Sequence, residues 1–315
     1  MSNATPSRVG QIAQAGAVDA LFLKVFSGEV LSSFNAKTVM ADKTRVRNIT
    51  SGKSASFPGM GRITASYHTP GAEIVGKKVN HGEKVVTIDD LLISDSFIAN
   101  IDEAKNHYEV RSEYSTQMGQ ALAQTFDRNL LSLAVKTARA GETGAVAEMG
   151  AAVSTNLGSL TPTIQNIVDA LYAEAAAMDD LFLPAEDRFV IVTPTVFYGL
   201  VQNDKLVDRD YNNGNGSYAD GTVMKVAGMS IVKSSNLAVN HVTDTVDFGT
   251  KYQVNASDTS ALVFQRGALA TVKLLDMASE SEYDIRRQGT LMVSKMAVGH
   301  GAVNPQGIRE LRAAV

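Results

Sequence analysis

Cysteine and tryptophan are both absent from the 315 residues of this sequence. Without cysteine the chain cannot form a disulfide framework, a thiol nucleophile or a Cys-ligated metal site. It also has no run of about 20 consecutive apolar residues of the kind that spans a bilayer. Its N-terminus lacks the charged and then apolar pattern of a secretory signal. These absences predict a soluble protein with no membrane partner.

Neither sign of charge is in large excess. The 29 Lys and Arg residues face 33 Asp and Glu residues, so the formal net charge is −4 at pH 7. A small negative charge excludes a chain that binds nucleic acid through its overall electrostatics. The length predicts one large domain or two ordinary ones, with enough core to fold without disulfides or metals.

Catalytic motifs are missing as well. Ser51–Ser54 reads Ser-Gly-Lys-Ser, like the end of a phosphate-binding loop, but Arg47 occupies the position of that loop's first glycine. No spacing of His, Asp and Glu matches a metal site. We therefore predict no catalytic residue, no cofactor and no metal. The alternative is a soluble oligomeric enzyme with a site built from distant residues, for instance around His300, which the sequence otherwise places in a tight turn.

The longest periodic segment covers residues 101–139. Apolar residues recur there at four-residue steps, and Gly141 follows as a stop signal. A helix of this length is about 58 Å long at 1.5 Å per residue. Gly119 is a candidate bend within it. We expect this helix to act as the spine of an extended protein.

The remaining elements mix helices and strands without regular alternation. Thr161 and Pro162 are predicted to cap and open a second helix, and a short helix begins at Pro194. A fully buried strand is predicted at Arg188–Thr193, and more strands are predicted at Met229–Lys233, Ala261–Gln265, Leu269–Leu275 and Leu291–Val298. This pattern is typical of an α+β fold rather than a doubly wound parallel sheet.

Residues 44–90 differ from the rest because they alternate like strands and contain many Gly and Pro. We predict a long hairpin that runs outward from Ile49 to about Gly76 and back to Ile88. Residues 41–84 carry a net charge of +5, whereas the rest of the chain carries −9. A two-stranded hairpin alone is marginal in water, so it either folds back on its own domain or lies on another subunit. A solvated charged loop is an equally good interpretation of the charge alone.

Several segments, in order along the chain, resemble the major capsid proteins of short-tailed bacteriophages of the podovirus and autographivirus type. They are Ala20–Leu31, Val46–Pro58, Glu83–Asp89, Asn106–Tyr114, Ala261–Arg266, Thr271–Leu274, and Lys295 with Gly299–Gly301 and Pro305. Asn106–Tyr114 resembles the spine-helix signature of that family. The resemblance implies the α+β major capsid protein fold that tailed phages share with herpesviruses.

That fold divides the chain into four parts. The implied parts are an N-terminal arm with an amphipathic helix (1–49), an extended loop (50–90), a peripheral domain with the spine helix 101–139 (91–159 and 256–315), and an axial domain (160–255). In this family the extended loop lies over a neighbouring subunit, which would give the hairpin its missing support.

The resemblance also implies a function. Subunits would assemble as hexamers and pentamers into an icosahedral shell of the virion that encloses double-stranded DNA, with assembly in the host cytoplasm. The implied partners are other copies of the chain, a scaffolding protein, a portal protein, an optional decoration protein, and packaged DNA held without sequence specificity. A bacterial nanocompartment shell of the same fold is a variant of this hypothesis.

We expect the hairpin to carry the subunit contacts. The predicted contact residues on it are Phe57, Arg62, Tyr67, Lys77 and Lys78. They would meet acidic residues of the neighbour's spine helix such as Asp102, Glu103 and Glu109. Opposite charges across such a contact would give it specificity.

Overall fold

Helices and strands follow one another irregularly in a computed structural model that describes residues 29–30, 32–34, 37–99, 110–159, 161–203, 216–217, 222–223, 225–239 and 250–314. The helices are α1 (Val110–Ala140), α2 (Ile164–Asp180) and α3 (Pro194–Val201). The strands are β1 (Arg45–Asn48), β2 (Ser54–Met60), β3 (His81–Thr87), β4 (Leu92–Ala99), β5 (Val153–Asn156), β6 (Arg188–Val192), β7 (Gly216–Ser217), β8 (Thr222–Val223), β9 (Lys225–Val226), β10 (Met229–Lys233), β11 (Thr259–Gln265), β12 (Leu269–Asp284), β13 (Gly289–Ala302) and β14 (Ile308–Arg312).

The larger sheets mix parallel and antiparallel pairs. One has the strand order β1-β12-β13-β4, and the other has the order β5-β14-β11-β6-β10-β9. Parallel pairs join β1 to β12, β6 to β10 and β5 to β14, whereas β11 runs antiparallel to both β6 and β14. The strands β2 and β3 form a separate two-stranded sheet. The predicted α+β class is confirmed.

The chain divides into two compact units. One contains residues 1–38, 90–126 and 275–298, and the other contains residues 39–89, 127–274 and 299–315. The helix α1 and the strands β12 and β13 each contribute residues to both units. These units do not coincide with the four predicted parts, so the division into arm, extended loop, peripheral domain and axial domain stays a prediction.

In the larger unit, α2 and α3 pack on the six-stranded sheet. Their buried stripes meet apolar residues from β6, β9, β10, β11 and β14, with Leu171, Met178, Val190, Leu200 and Val263 fully buried. Both helices begin at a threonine cap, since Thr163 accepts from the N–H of Asn166 and Thr193 accepts from the N–H of Val196. The prediction that Thr161 caps α2 was wrong by two residues.

In the smaller unit, the first half of α1 packs on residues of β4 and β13. Val30, Ile98, Met118 and Met292 form its core. The helix is continuous through Gly119, where a Cβ would lie 2.6 Å from the carbonyl oxygen of Val30. This glycine therefore admits Val30, Ser33 and Phe34 close to α1. The predicted first turns of the spine helix, residues 101–109, lie outside the described residues.

The end of α1 agrees with the prediction, whereas several strands differ from it. The helix α1 ends at Ala140, and Gly141 follows with a φ of +60°, as the stop signal predicts. The strands β12 and β13 extend well beyond the predicted Leu269–Leu275 and Leu291–Val298. The strand β14 was not predicted, because its sequence Ile-Arg-Glu-Leu-Arg contains charged residues that only long-range ion pairs allow to be buried.

Candidate subunit interface

The predicted hairpin is present, and its paired arms are shorter than predicted. Ser54 pairs with Thr87 and Met60 pairs with His81, so each arm has seven paired residues. The apex is a turn in which the N–H of Ala72 donates to the carbonyl of Thr69 at 3.1 Å, with Gly71 at a φ of +90°. Pro followed by Gly at positive φ is the signature of a type II turn. The predicted reversal near Gly76 was wrong.

The root of the hairpin is anchored in its own subunit. Ala55, Phe57 and Val86 pack against the buried Ala270, Val272 and Val303. The guanidinium groups of Arg45 and Arg47 lie 5.5 and 5.7 Å from the centre of the Phe57 ring. Only 2% of Phe57 is exposed. The expectation that Phe57 contacts a neighbouring subunit is therefore corrected, because its side chain is used within its own core.

Residues 61–80, which we call the tip, are almost entirely exposed. Large apolar side chains point into solvent there, and the most exposed are Ile63, Tyr67, Ile74 and Val75 at 75% or more. The tip also has three cationic residues, Arg62, Lys77 and Lys78, and a single acidic residue, Glu73. Exposed apolar residues gathered in one segment with charge of mainly one sign are typical of an interaction surface.

The predicted contact residues of the tip differ in their local environments. Tyr67 is fully exposed, and Lys78 is exposed. Lys77 crosses the tip, where its Nζ donates to the carbonyl of Thr64 at 3.2 Å and contacts the hydroxyl of Ser66 at 3.1 Å. Arg62 donates to the carbonyl of Leu181, and its guanidinium lies 5.6 Å from the centre of the exposed Phe182 ring. Tyr67, Lys77 and Lys78 are thus presented outward, whereas Arg62 also makes contacts inside its own subunit.

The other side of the predicted contact is not described. Asp102, Glu103 and Glu109 lie outside the described residues. Lys53, from the segment that resembles a phosphate-binding loop, is exposed just before β2. A strand follows it, so the helix that a phosphate-binding loop needs is replaced by the hairpin.

His300, the histidine proposed in the enzyme alternative, is buried in the core. His300 is 1% exposed, and its Nδ1 lies 3.1 Å from the Thr271 hydroxyl. Burial first, and then the nearby charge of Lys251, lower the pKa of His300 to about 3. The residue lies within β13 rather than in the predicted tight turn, because Gly299 and Gly301 bring this strand close to the backbone of Thr87 and the side chain of Val86. A neutral, buried imidazole of this kind is structural.

Within the described residues, no group of three or more His, Cys, Asp or Glu side chains could hold a metal ion. In the same part of the chain, no helix combines the length and the apolar character that crossing a membrane would need.

Comparison with known proteins identifies what this architecture is for. Residues 56–312 match the Gp10A-like family of major capsid proteins. The major capsid protein of Escherichia phage T7 is 32% identical over 94% of this chain and 92% of its own length. This chain belongs to that family of phage major capsid proteins.

Solved structures agree with the family assignment. The capsid structure of the cyanophage P-SCSP1u aligns with a TM-score of 0.78 and 42% identity, and the alignment covers 99% of both chains. The mature capsid of bacteriophage PhiM1 aligns with a TM-score of 0.73 and 21% identity over 88% of this chain and 87% of its own, which shows the fold alone. The predicted capsid fold and the structural, non-enzymatic role are confirmed, and the enzyme alternative is not supported. The family is one of phage capsids rather than of nanocompartment shells.

One contact of the hairpin was not predicted from the sequence. Residues 140–160 look like a Gly- and Ala-rich connector, yet residues 142–152 pack on the hairpin at Gly59 and Gly82. The available signal was the pair of glycines in otherwise alternating strands, which often marks a close approach of another backbone.

Proposed function

We propose that this capsid protein assembles into hexamers and pentamers that close into an icosahedral shell around phage double-stranded DNA. Assembly would take place in the host cytoplasm with a scaffolding protein and a portal protein, and a decoration protein is an optional addition. The chain's formal charge of −4 suits a wall that holds its DNA without sequence-specific contacts. Family membership and the likeness to solved capsids support self-assembly in general, and the finer details are our proposal.

The hairpin tip is the part of the subunit that we propose to contact a neighbour. Tyr67 would supply apolar contact area, and Arg62, Lys77 and Lys78 would supply positive charge. Their partners would be Asp102, Glu103 and Glu109 of the adjacent subunit. Complementary charge would orient the subunits during encounter, and repetition around the shell would make many weak contacts collectively strong.

The single observation that supports this proposal best is the contrast between the root and the tip of the hairpin. At the root, Phe57 and Val86 are only 2% and 3% exposed. At the tip, by contrast, four large apolar residues are each at least 75% exposed: Ile63, Tyr67, Ile74 and Val75. A soluble chain rarely exposes so many large apolar residues in one segment unless a partner covers them.

The test is a charge reversal at the tip. The full chain would be produced with Lys77→Glu and Lys78→Glu together, under conditions in which the wild type forms shells, and imaged by negative stain alongside light scattering. We expect subunits that keep the wild-type circular dichroism spectrum and melting temperature but form no shells. The matched control is Lys77→Arg with Lys78→Arg, which keeps both charges and should assemble. Normal shells from the Glu variant would overturn the proposed contact.

A further inference from the structure

Gly59 and Gly82 face each other directly across the hairpin. Since neither residue has a side chain, the two strands consist of backbone atoms alone at this pair. A Cβ on Gly82 would overlap the carbonyl group of Ala145, and a Cβ on Gly59 would lie 2.7 Å from the Cβ of Ala145. Gly59 and Gly82 are not among the glycines with positive φ. They are therefore required here by space and not by backbone conformation.

The segment that fills this space, the 142–152 loop, has its own internal structure. The N–H of Ala152 donates to the carbonyl of Glu142 at 2.9 Å, and the N–H of Gly144 donates to the carbonyl of Gly150 at 3.1 Å. A 3-10 turn at Ala147–Met149 lies between Gly144 and Gly150, in the middle of the loop. A loop that is held together by backbone hydrogen bonds in this way can pack against the hairpin as a rigid unit.

Polar contacts hold this loop on both sides of the glycine pair. The Nζ of Lys84 lies 3.4 Å from a carboxylate oxygen of Glu142. The side-chain amide of Asn80 donates to the carboxylate of Glu148 at 2.5 Å. A backbone hydrogen bond, and then this bond from Asn80, lower the pKa of Glu148. Since residues 80 and 84 flank Gly82, the loop is attached above and below the point where the backbones meet.

We propose that the 142–152 loop positions the hairpin for assembly by fixing the direction in which the tip leaves the subunit. This inference rests on the proposed function, in which the tip contacts a neighbouring copy. A two-stranded hairpin on its own is too weak to hold a direction in water. Holding it in place before association removes an entropy cost from every subunit contact, and that saving is repeated around the shell.

The test compares two identical substitutions in the same hairpin. Gly82→Ala pushes a Cβ into the Ala145 backbone, whereas Gly76→Ala points into open space, since nothing lies within 4 Å of its Cβ position. In unassembled full-length subunits, hydrogen exchange would be measured for peptides that cover β2 and β3. Shell yield would then be measured under conditions in which the wild type assembles.

For Gly82→Ala we expect exchange in β2 and β3 to rise about tenfold and shell yield to fall about tenfold, while peptides from α2 and β6 keep wild-type exchange. Gly76→Ala should match the wild type in both measurements. Wild-type exchange in Gly82→Ala would overturn the proposal. Faster exchange with a normal shell yield would overturn it too, because the direction of the hairpin would then not matter for assembly.

A second variant keeps the proposal testable if Gly82→Ala does not fold. Glu142→Gln with Glu148→Gln removes the two charges of the loop at exposed side chains. It should change exchange and shell yield in the same direction by a smaller factor, and Glu186→Gln, at another exposed position, should change neither. If the double variant has wild-type exchange and wild-type shell yield, that result would count against the proposal. If Lys77→Glu with Lys78→Glu assembles normally while Gly82→Ala exchanges faster, the tip contact fails and the positioning of the hairpin by the loop still stands.

Discussion

Arg139 at the end of α1 binds both carboxylate oxygens of Glu310 on β14. Its Nε lies 3.0 Å from each oxygen, and its Nη2 lies 2.7 Å from one of them. Glu310 is completely buried, and it also accepts from the hydroxyl groups of Ser154 and Thr259. The long helix is thereby fixed to the six-stranded sheet through a bidentate, charge-assisted contact.

Removing one partner of this pair should be strongly destabilising. In Arg139→Ala the carboxylate of Glu310 stays buried without its counter-charge, and breaking a buried pair in this way costs about 3–5 kcal/mol. The measurement is the free energy of unfolding from a urea titration of unassembled subunits. Lys136→Ala, one turn earlier, loses only contacts to the carbonyl groups of Thr250 and Lys251 and should cost about 1 kcal/mol. Equal losses in the two variants would contradict this account.

Acidification should weaken the subunit through His300. Its pKa of about 3 in the folded state lies below the unfolded value of 6.5, first because of burial and then because of Lys251. Between these two pH values the unfolded chain binds a proton that the folded chain does not, so the free energy of unfolding falls as the pH is lowered. The contribution changes by about 1.4 kcal/mol per pH unit between pH 6.5 and pH 3 and is constant above pH 6.5.

The variant that isolates this contribution is His300→Gln, whose side chain does not titrate. The difference between the wild-type and variant free energies of unfolding, plotted against pH, should be flat above pH 6.5 and should slope below it. A difference that is flat from pH 4 to pH 8 would show that His300 titrates in the same way in both states.

The carboxylate of Asp127 should hold the segment before β1 onto α1. The N–H of Val39 donates to one of its oxygens at 2.6 Å, and the N–H of Met40 donates to the other at 3.0 Å. Asp127 is 1% exposed, so Asp127→Ala leaves the buried N–H of Met40 and the partly buried N–H of Val39 without the charged acceptor, at a cost of about 1.5–3 kcal/mol. Hydrogen exchange should become faster at Val39 and Met40. Unchanged protection of those two amides would contradict the prediction.

Periodicity and local signals were enough to predict the elements whose stability is local. Met118, Leu122, Phe126, Leu130 and Ala134 recur at four-residue steps in the sequence, and each is buried on α1. The hairpin was also predicted from alternation and glycine content. Its apex was misplaced because several glycines compete for the turn, and only Pro70 and Gly71 together fit a type II turn.

What could not be predicted depends on partners that are distant in sequence. Arg309 and Glu310 are buried on β14 because Glu174 and Arg139 neutralise them, and each of those partners is more than a hundred residues away. The far half of β12 has few apolar residues, and it is a strand because β13 pairs with it. The contact of the 142–152 loop with the hairpin was missed for the same reason.

The type II turn at the apex should matter for assembly and not for folding. Gly71 has a φ of +90°, which a Cβ disfavours by about 1 kcal/mol, and nothing lies within 4 Å of the site. Gly71→Ala should therefore lower the melting temperature of unassembled subunits by no more than about 2 °C, since the tip packs on little else, but should reduce shell yield by distorting the presented surface. Gly71→Asn should restore the yield in part, because asparagine tolerates positive φ better than alanine does. A Gly71→Ala variant that assembles like the wild type would show that assembly does not depend on the conformation of the apex.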